Sequence, residues 1–170
     1  MTNKLIKITV LLFLTHFVWS QSKQIKLSEK QDSIYEANIN REYLQGVYIP
    51  KDLEDCFNEL IRLSPRESLD RMAAAPEELA AKKLHLGLGK WIAHNWSFYE
   101  GSRFSAYLKT LGISYPDDMI EFTIISFHRH LNDVDLQIKE LAKVYIDKRE
   151  AELSKRLESA ETISKRIRKN

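Results

Sequence analysis

The chain has 170 residues, 26 of them Lys or Arg and 24 Asp or Glu, with a formal net charge of +2 and a single cysteine. This length is enough for one domain with its own core. The near balance of charge excludes an overall electrostatic attraction to nucleic acid. One cysteine cannot form an intramolecular disulfide. Cys56 lies at helical spacing among apolar residues, so we expect its side chain to be buried.

The first twenty residues have the features of a secretory signal peptide. Two lysines precede a mainly apolar run at residues 8–19, which is too short to cross a bilayer. Small side chains at Val18 and Ser20 predict cleavage after Ser20. Removal of residues 1–20 takes away both lysines and no acid, leaving 24 basic and 24 acidic residues. We expect a near-neutral periplasmic or secreted protein without a transmembrane segment after cleavage; an uncleaved short anchor is the alternative.

Proline, glycine and apolar spacing divide the rest of the chain into predicted helices. Pro50, Pro65, Pro76 and Pro116 each precede an apolar pattern with a period near 3.6, and proline is favoured in a first helical turn. After a polar leader at 21–32, we predict a weak helix at 33–45 and further helices at 51–63, 65–73, 77–98, 103–111, 116–131 and 134–168. No sustained strand alternation and no Asn-Gly or Asp-Gly hairpin turn occurs between them.

These elements predict an all-α fold. We expect a small, irregular helical bundle of about five helices, followed by a long charged C-terminal helix. The predicted organisation is a signal peptide at 1–20, a polar leader at 21–45, a helical domain at 46–132 and a C-terminal helix or tail at 133–170.

Residues 77–98 are amphipathic when they are plotted at about 100° per residue. Asn95 falls at the centre of the apolar face and His85 near its edge. A buried amide without partners costs about 1–3 kcal/mol, so Asn95 either holds neighbouring backbone or faces a polar pocket. The apolar face itself is formed by Leu84, Leu88, Trp91, Ile92 and Trp96.

Two glycines in this segment do not form a dinucleotide-binding loop. Gly87 and Gly89 begin the spacing G-x-G-x-x-G, but Ile92 stands where the third glycine is needed and no strand precedes them. Glycine inside a helix costs up to about 1 kcal/mol relative to alanine. We expect another helix to approach closely at Gly89.

The five histidines do not form a recognisable metal-binding pattern. His85 and His94 fall on opposite sides of a helix, and His128 and His130 are about 200° apart, whereas chelation by one helix uses positions i and i+4. We therefore predict no metal and no cofactor, with a site assembled between helices as the open alternative. His128 lies between apolar residues of the predicted helix 116–131, so we expect it to make a structural hydrogen bond.

Charged residues at two helix starts are candidates for a binding site. Asp117 and Asp118 lie in the first turn of helix 116–131, where acidic side chains stabilise the helix dipole. Arg103 opens helix 103–111 after a Gly-Ser pair whose free backbone amides are suited to an anion. Arg103 either joins that anion site or pairs with one of the two aspartates.

The predicted C-terminal helix differs from the rest of the chain in composition. If continuous, its 35 or so residues extend about 50 Å, which is longer than a small domain needs, so we expect the far end to project or fray. The alternatives for this end are a solvated charged tail, self-association and contact with an anionic surface. A thin apolar stripe recurs every seven positions, with Leu157 beside it, at Ile146, Leu153, Ala160 and Ile167.

Four segments together resemble an uncharacterised bacterial family, one of the domains of unknown function. The resemblance covers about residues 46–132, implies a small and mostly helical domain, and brings no activity or catalytic residue with it. The segments are GVYIPKDLEDCFNEL at 46–60, HLGLGKWIAHNWSFYEGSRFSAYL at 85–108, GISYPDDM at 112–119 and HRHLN at 128–132.

Three functional hypotheses remain open. The first is a non-enzymatic module that binds an unknown protein or small ligand where helix 77–98, the loop 99–103 and the start of helix 116–131 meet. Its site would be formed by Asn95, Trp96, Tyr99, Arg103 and Asp118. The second is a hydrolase that uses a histidine, His85 or His128, with an aspartate, Asp117 or Asp118. The third is an envelope-associated scaffold that dimerises through residues 134–168.

Overall fold

The computed structural model describes residues 30–167, with side chains up to residue 165. The predicted signal peptide and residues 21–29 of the predicted polar leader lie outside this part of the chain. Residues 30–38 are helical (α1) and precede an antiparallel hairpin of Tyr43–Leu44 (β1) and Val47–Tyr48 (β2). The elements that follow are α2 (Leu53–Leu63), α3 (Arg66–Ala74), α4 (Glu77–Leu84), a π-helix (His85–Gly89), α5 (Lys90–Asn95), α6 (Arg103–Thr110), α7 (Pro116–Leu131) and α8 (Ile138–Ile167).

The fold is predominantly all-α, as predicted, and several helix ends agree with the sequence signals. α7 begins at Pro116 and ends at Leu131, the bounds predicted from proline and apolar spacing. Asp52 caps α2, its side-chain oxygen accepting a hydrogen bond of 2.9 Å from the backbone nitrogen of Asp55. Gly112 has a φ of +88° immediately after α6, the left-handed conformation that glycine adopts without strain.

The predicted weak helix at 33–45 is wrong in its second half. Helix α1 ends at residue 38, and Tyr43 instead pairs with Tyr48 across the hairpin. Gln45 and Gly46 form the turn with φ values of 50° and 81°, the two consecutive positive values that a type I′ hairpin needs. Each strand has only two residues, too few for alternation to show in the sequence.

The π-helix divides the predicted helix 77–98. A π-turn adds one residue to the helix, which displaces the following side chains by about 100° around the axis. With this displacement Gly89, Ile92 and Trp96 fall on the face already formed by Ala80 and Ala81, and all five are buried. The helix then ends at Asn95, three residues earlier than predicted.

The displacement also corrects the predicted position of two side chains. Trp91, predicted on the buried face, is 39% exposed. Asn95 is half-buried, and its side-chain nitrogen donates to the Trp91 carbonyl at 2.8 Å, inside its own helix. The amide therefore holds neighbouring backbone, the first of the two predicted alternatives, although it does not sit in the core.

Helix α7 is the centre of the domain. It contacts α2, α3, α4, α5, the π-helix and α8, which explains why its sequence is apolar nearly all round. Another helix approaches closely at Gly89, as predicted: a Cβ built there would overlap Ile120 Cγ2 and lie 3.3 Å from Ile124 Cδ1 of α7. Cys56 is fully buried in the same core, as predicted, and burial raises the pKa of its thiol well above its usual value.

Helix α8 starts later than predicted but is continuous. Asn132 ends α7, and positive φ values at Asp133 (54°) and Gln137 (48°) turn the chain before α8 begins at Ile138. Its 30 residues extend about 45 Å. Within the described residues, no helix has the combination of length and apolar character needed to cross a membrane.

The close approach at Gly89 predicts a specific effect of a single methyl group. Gly89→Ala should lower the free energy of unfolding by about 1–3 kcal/mol, because Ile120 and Ile124 must move away from the new Cβ. Gly87 is the matched control, since it lies in the same π-helix and a Cβ there meets nothing within 4 Å. Gly87→Ala should leave stability unchanged or raise it by up to about 1 kcal/mol. Equal denaturation midpoints in urea for the two variants would contradict this packing.

Candidate functional site

The most deeply buried carboxylate among the described ion pairs is that of Asp118, in the first turn of α7. Its side chain is 2% exposed, and it accepts hydrogen bonds from two successive cations of α8. Arg149 approaches both oxygens through Nε and Nη2, the latter at 2.8 Å, and Lys148 Nζ lies 3.0 Å from Oδ1. We call these three residues the Asp118 clamp, because they attach α8 to the first turn of the central helix α7.

The electrostatics of the clamp keep Asp118 charged. Burial alone would raise the pKa of its carboxyl, but the hydrogen bonds and charges of Arg149 and Lys148 outweigh burial, and the pKa is lowered below its usual value. The same contact raises the pKa of Arg149. The paired charges therefore persist at neutral pH, and the interaction is a charge-assisted, bidentate one.

Two further groups hold Arg149 in place. Glu152 accepts a hydrogen bond of 2.8 Å from Arg149 Nη1, and the guanidinium carbon lies 4.1 Å from the centre of the Tyr115 ring. Tyr115 itself precedes α7, so the cation is surrounded by the start of one helix and one turn of another. Gly112 also belongs to this junction, because a Cβ there would lie 2.6 Å from Ile146 Cδ1.

Beyond the clamp, α8 leaves the body of the domain. Leu141, Ala142 and Tyr145 are buried in the core, whereas every residue from 153 to 165 is exposed except Ser164, which is half-buried. We call residues 153–165 the projecting segment; at 1.5 Å per residue it is about 20 Å long. The sequence-based expectation that the far end of this helix projects agrees with this exposure.

The projecting segment carries an apolar stripe on one side. Leu153, Leu157 and Ile163 are each 59% exposed, and Ala160 lies between them. Their spacing of four, three and three residues keeps them on one helix face. A shallow concavity of about 430 Å³ follows this face and is lined by Leu157, Ala160, Glu161, Ser164 and Lys165.

The predicted structural role of His128 agrees with its contacts. It is 8% exposed, and its Nε2 lies 2.8 Å from the backbone carbonyl of Ala75. His85 is half-buried at the start of the π-helix, and Asp117 is exposed. Within residues 30–165, no hydrogen bond or ion pair joins either histidine to Asp117 or Asp118.

The predicted pairing of Arg103 with Asp117 or Asp118 is wrong. Arg103 Nε donates to the Ile49 carbonyl, Nη2 lies 3.9 Å from Asp55 Oδ2, and the guanidinium carbon is 5.0 Å from the Tyr48 ring centre. Arg103 therefore fastens the start of α6 to the segment that follows the hairpin. Asp55 also accepts a hydrogen bond of 2.7 Å from the Tyr48 hydroxyl, which raises the pKa of that tyrosine.

The backbone amides before α6 are not free for an anion. Ser102 caps the helix in a reciprocal arrangement with Ser105: each backbone nitrogen donates to the other residue's hydroxyl, at 2.8 and 3.2 Å. Both serines are fully buried. Gly101 is covered by the Tyr35 ring of α1, so the predicted anion site is occupied by the protein itself.

The remaining candidates, Trp96 and Tyr99, lie in different surroundings. Trp96 is fully buried, with Phe104 against its ring at 5.4 Å between centroids. Tyr99 is exposed and lines an open concavity of about 760 Å³ between α1 and α6. The candidate residues therefore do not form one site. Trp96 lies in the core, Tyr99 on the surface, Arg103 against the segment after the hairpin and Asp118 in the clamp.

The described part of the chain offers little to a metal ion. No group of three His, Cys, Asp or Glu side chains in residues 30–165 is arranged to hold one.

Sequence reasoning did not find Lys148, Arg149 or Asp55 as partners of the candidate residues. The sequence carried a signal only for Lys148 and Arg149. This basic pair follows Ile146, a residue of the seven-residue apolar repeat, within the same turn of the predicted C-terminal helix. The pairing itself joins positions 30 and 31 residues apart, so it depends on the tertiary fold.

Comparison with known families agrees with the resemblance seen in the sequence. Residues 49–131 match the family model of a domain of unknown function, DUF6794. This part of the chain is therefore similar to a domain to which no activity is assigned. The match includes the hydrogen-bonding partners of Arg103 and His128, and the Asp118 end of the clamp, but not α8. No curated protein and no solved structure is significantly similar to the chain.

The clamp predicts a stability difference between two neighbouring aspartates. Asp118→Asn should lower the free energy of unfolding by about 2 kcal/mol, less than the 3–5 typical of a fully buried pair because Lys148 and Arg149 retain contact with water. Asp117→Asn, at an exposed position, should change it by less than about 0.5 kcal/mol. Urea denaturation at neutral pH measures both.

Acid provides a second readout of the same contact. Since the pKa of Asp118 is lower in the folded than in the unfolded protein, its contribution is complete above about pH 4 and is lost as the pH falls through the folded value. Asp118→Asn should therefore weaken the acid dependence of stability over that interval. Unfolding curves for Asp118→Asn and the wild type that coincide at neutral pH and in acid would contradict the clamp.

Proposed function

We propose that the protein is an exported, non-enzymatic interaction module that presents the projecting segment of α8 to an amphipathic helix of a partner. The folded domain serves as a scaffold for α8, and the Asp118 clamp fixes the direction in which α8 leaves this domain. Export is supported by the cationic start, the short apolar run and the small residues before position 21.

The observation that carries this proposal is the exposure of the apolar stripe. Monomeric proteins tolerate scattered apolar side chains on their surface, but a contiguous row on a protruding element is typical of an interaction site. The stripe also continues the side of α8 that packs on α7, since Leu153 follows the half-buried Ile146 by seven residues, or nearly two turns. Because this face of α8 packs on helix α7 along its first half, it is suited to pack on a partner's helix along its second half.

The contacts of the polar candidates support a module over a hydrolase. His128 Nε2 lies against a backbone carbonyl, and both oxygens of Asp118 accept hydrogen bonds from α8. A general base needs a free lone pair facing the proton it removes, and these groups already have partners inside the fold. His85 and Asp117 have no hydrogen bond to each other in the described structure.

Site-specific photo-crosslinking in the native cells tests the proposal. A photoreactive phenylalanine analogue at Leu157 stands on the stripe, and the same analogue at exposed Thr162 stands on the opposite side of the helix as a matched control. Crosslinks from position 157 should map by mass spectrometry to the apolar face of a helix, and position 162 should give few or none. Equal crosslinking from both positions, or attachment scattered over unrelated surfaces, would contradict the proposal.

The same preparation tests export. The recovered protein should begin at Gln21 when its N-terminus is sequenced. A chain that retains residues 1–20 would show that the segment is not cleaved, without affecting the crosslinking result.

A further inference from the structure

We propose that the solvent side of α4, the π-helix and α5 docks on the surface of an anionic phospholipid bilayer. We call this surface the basic face and define it by five exposed residues: Lys82, Lys83, Leu86, Lys90 and Trp91. It lies on different elements from the projecting segment of α8, so the inference does not rest on the proposed function.

The π-helix brings these five side chains to one side. Lys82 and Lys83 precede Leu86 by four and three residues, the spacing of neighbours on a helix face. The backbone nitrogen of Lys90 then donates to the carbonyl of His85, five residues earlier, so Lys90 and Trp91 follow Leu86 by one wider turn. In an unbroken α-helix, by contrast, Trp91 belongs to the apolar face predicted for the core.

The charge of the basic face has a single sign. Residues 79–99 contain three lysines and no Asp or Glu, and they form the longest acid-free stretch of the described chain. Glu78, at the start of α4, is the acid nearest to the lysines along the chain, and among residues 30–165 no ion pair involves any of the three. A helix face that only meets water usually carries charges of both signs. Three exposed ammonium groups without neighbouring carboxylates are complementary to the phosphates of anionic lipids.

Apolar side chains stand among these lysines. Leu86 is 69% exposed, more than any other large apolar side chain of the described residues, and Trp91 is 39% exposed. A soluble polyanion offers such side chains no apolar surroundings. At a bilayer surface, lysine ammonium groups reach the phosphates while leucine and tryptophan enter the boundary between headgroups and acyl chains. The mixture of side chains therefore favours a lipid surface over a nucleic acid.

The near balance of charge over the whole chain does not oppose this docking. Attraction between lysines and an anionic bilayer falls off within a Debye length, which is about 8–10 Å at physiological salt. Binding therefore depends on the charges that face the bilayer, and the basic face carries +3.

Vesicle binding tests the basic face. Protein recovered from the native cells, in the same processed form for every variant, would be sedimented with vesicles of equimolar phosphatidylglycerol and phosphatidylcholine, or of phosphatidylcholine alone. We expect binding to the anionic vesicles only, and added salt should weaken it. The combined variant Lys82→Gln, Lys83→Gln and Lys90→Gln should raise the dissociation constant roughly 100-fold, about fivefold for each lysine held at the anionic surface.

A second combined variant controls for total charge. Lys30→Gln, Lys51→Gln and Lys109→Gln remove the same charge at exposed positions outside α4, the π-helix and α5. This control should change the dissociation constant by less than about threefold. Circular dichroism checks that both combined variants remain folded.

The apolar side chains distinguish lipid from other polyanions. Leu86→Ser should weaken binding to the anionic vesicles about tenfold, because Leu86 leaves water only when it enters the bilayer. Leu63→Ser, at the exposed end of α2, is the matched control and should have little effect. The emission of Trp91, obtained as the difference between the wild type and Trp91→Phe, should shift to shorter wavelength on binding, since the fully buried Trp96 contributes equally to both proteins.

Equal binding to neutral vesicles, an unchanged Trp91 emission, or the same loss of affinity in both combined variants would overturn the inference. Duplex DNA provides the competing ligand. Binding to DNA as tight as to anionic vesicles, with Leu86→Ser weakening neither, would assign the basic face to a soluble polyanion and would also overturn it. None of these results changes the crosslinking expected from position 157, so the proposed function is tested separately.

Discussion

The contact between Asp118 and Arg149 joins the first turn of α7 to the middle of α8. Along the chain, these two positions are connected only through the rest of α7 and a short turn. Removing a carboxylate from water costs several kcal/mol, which an ion pair offsets only when its geometry and additional hydrogen bonds are good. Both conditions hold here, because Arg149 approaches both oxygens, Lys148 adds a third donor and Glu152 neutralises part of the excess charge. Together with the burial of Leu141, Ala142 and Tyr145, this contact holds α8 against α7.

The rest of the domain supplies the platform for that contact. Helix α7 is buried on several sides, and it can be approached so closely only because residue 89 has no side chain and the π-helix turns Ile92 and Trp96 inwards. The hairpin and α6 are fastened by Arg103, which spans 54 residues to the Ile49 carbonyl. These polar side chains stabilise packing between elements.

Elements whose signals are local could be predicted from the sequence. Pro116 and the apolar spacing after it define α7, and Gly112 marks the end of α6. The position of His128 among apolar residues indicates a structural hydrogen bond. The π-helix could not be predicted, because one added residue leaves no local signal yet changes which side chains are buried. A regular helix therefore puts Asn95 at the centre of the apolar face, whereas the structure has it half-buried. The partner of Arg103 was also missed, since a guanidinium at a helix start can reach any carboxylate or carbonyl that the tertiary fold brings near.

A double-mutant cycle between Asp118 and Arg149 tests the central claim most directly. Asp118→Asn, Arg149→Met and the double variant would be compared by urea denaturation at neutral pH. The structure predicts a coupling free energy on the order of 1–3 kcal/mol, because each single change removes the same interaction. Additivity within about 0.5 kcal/mol would show that the two side chains act independently, and the clamp would then contribute nothing to the attachment of α8.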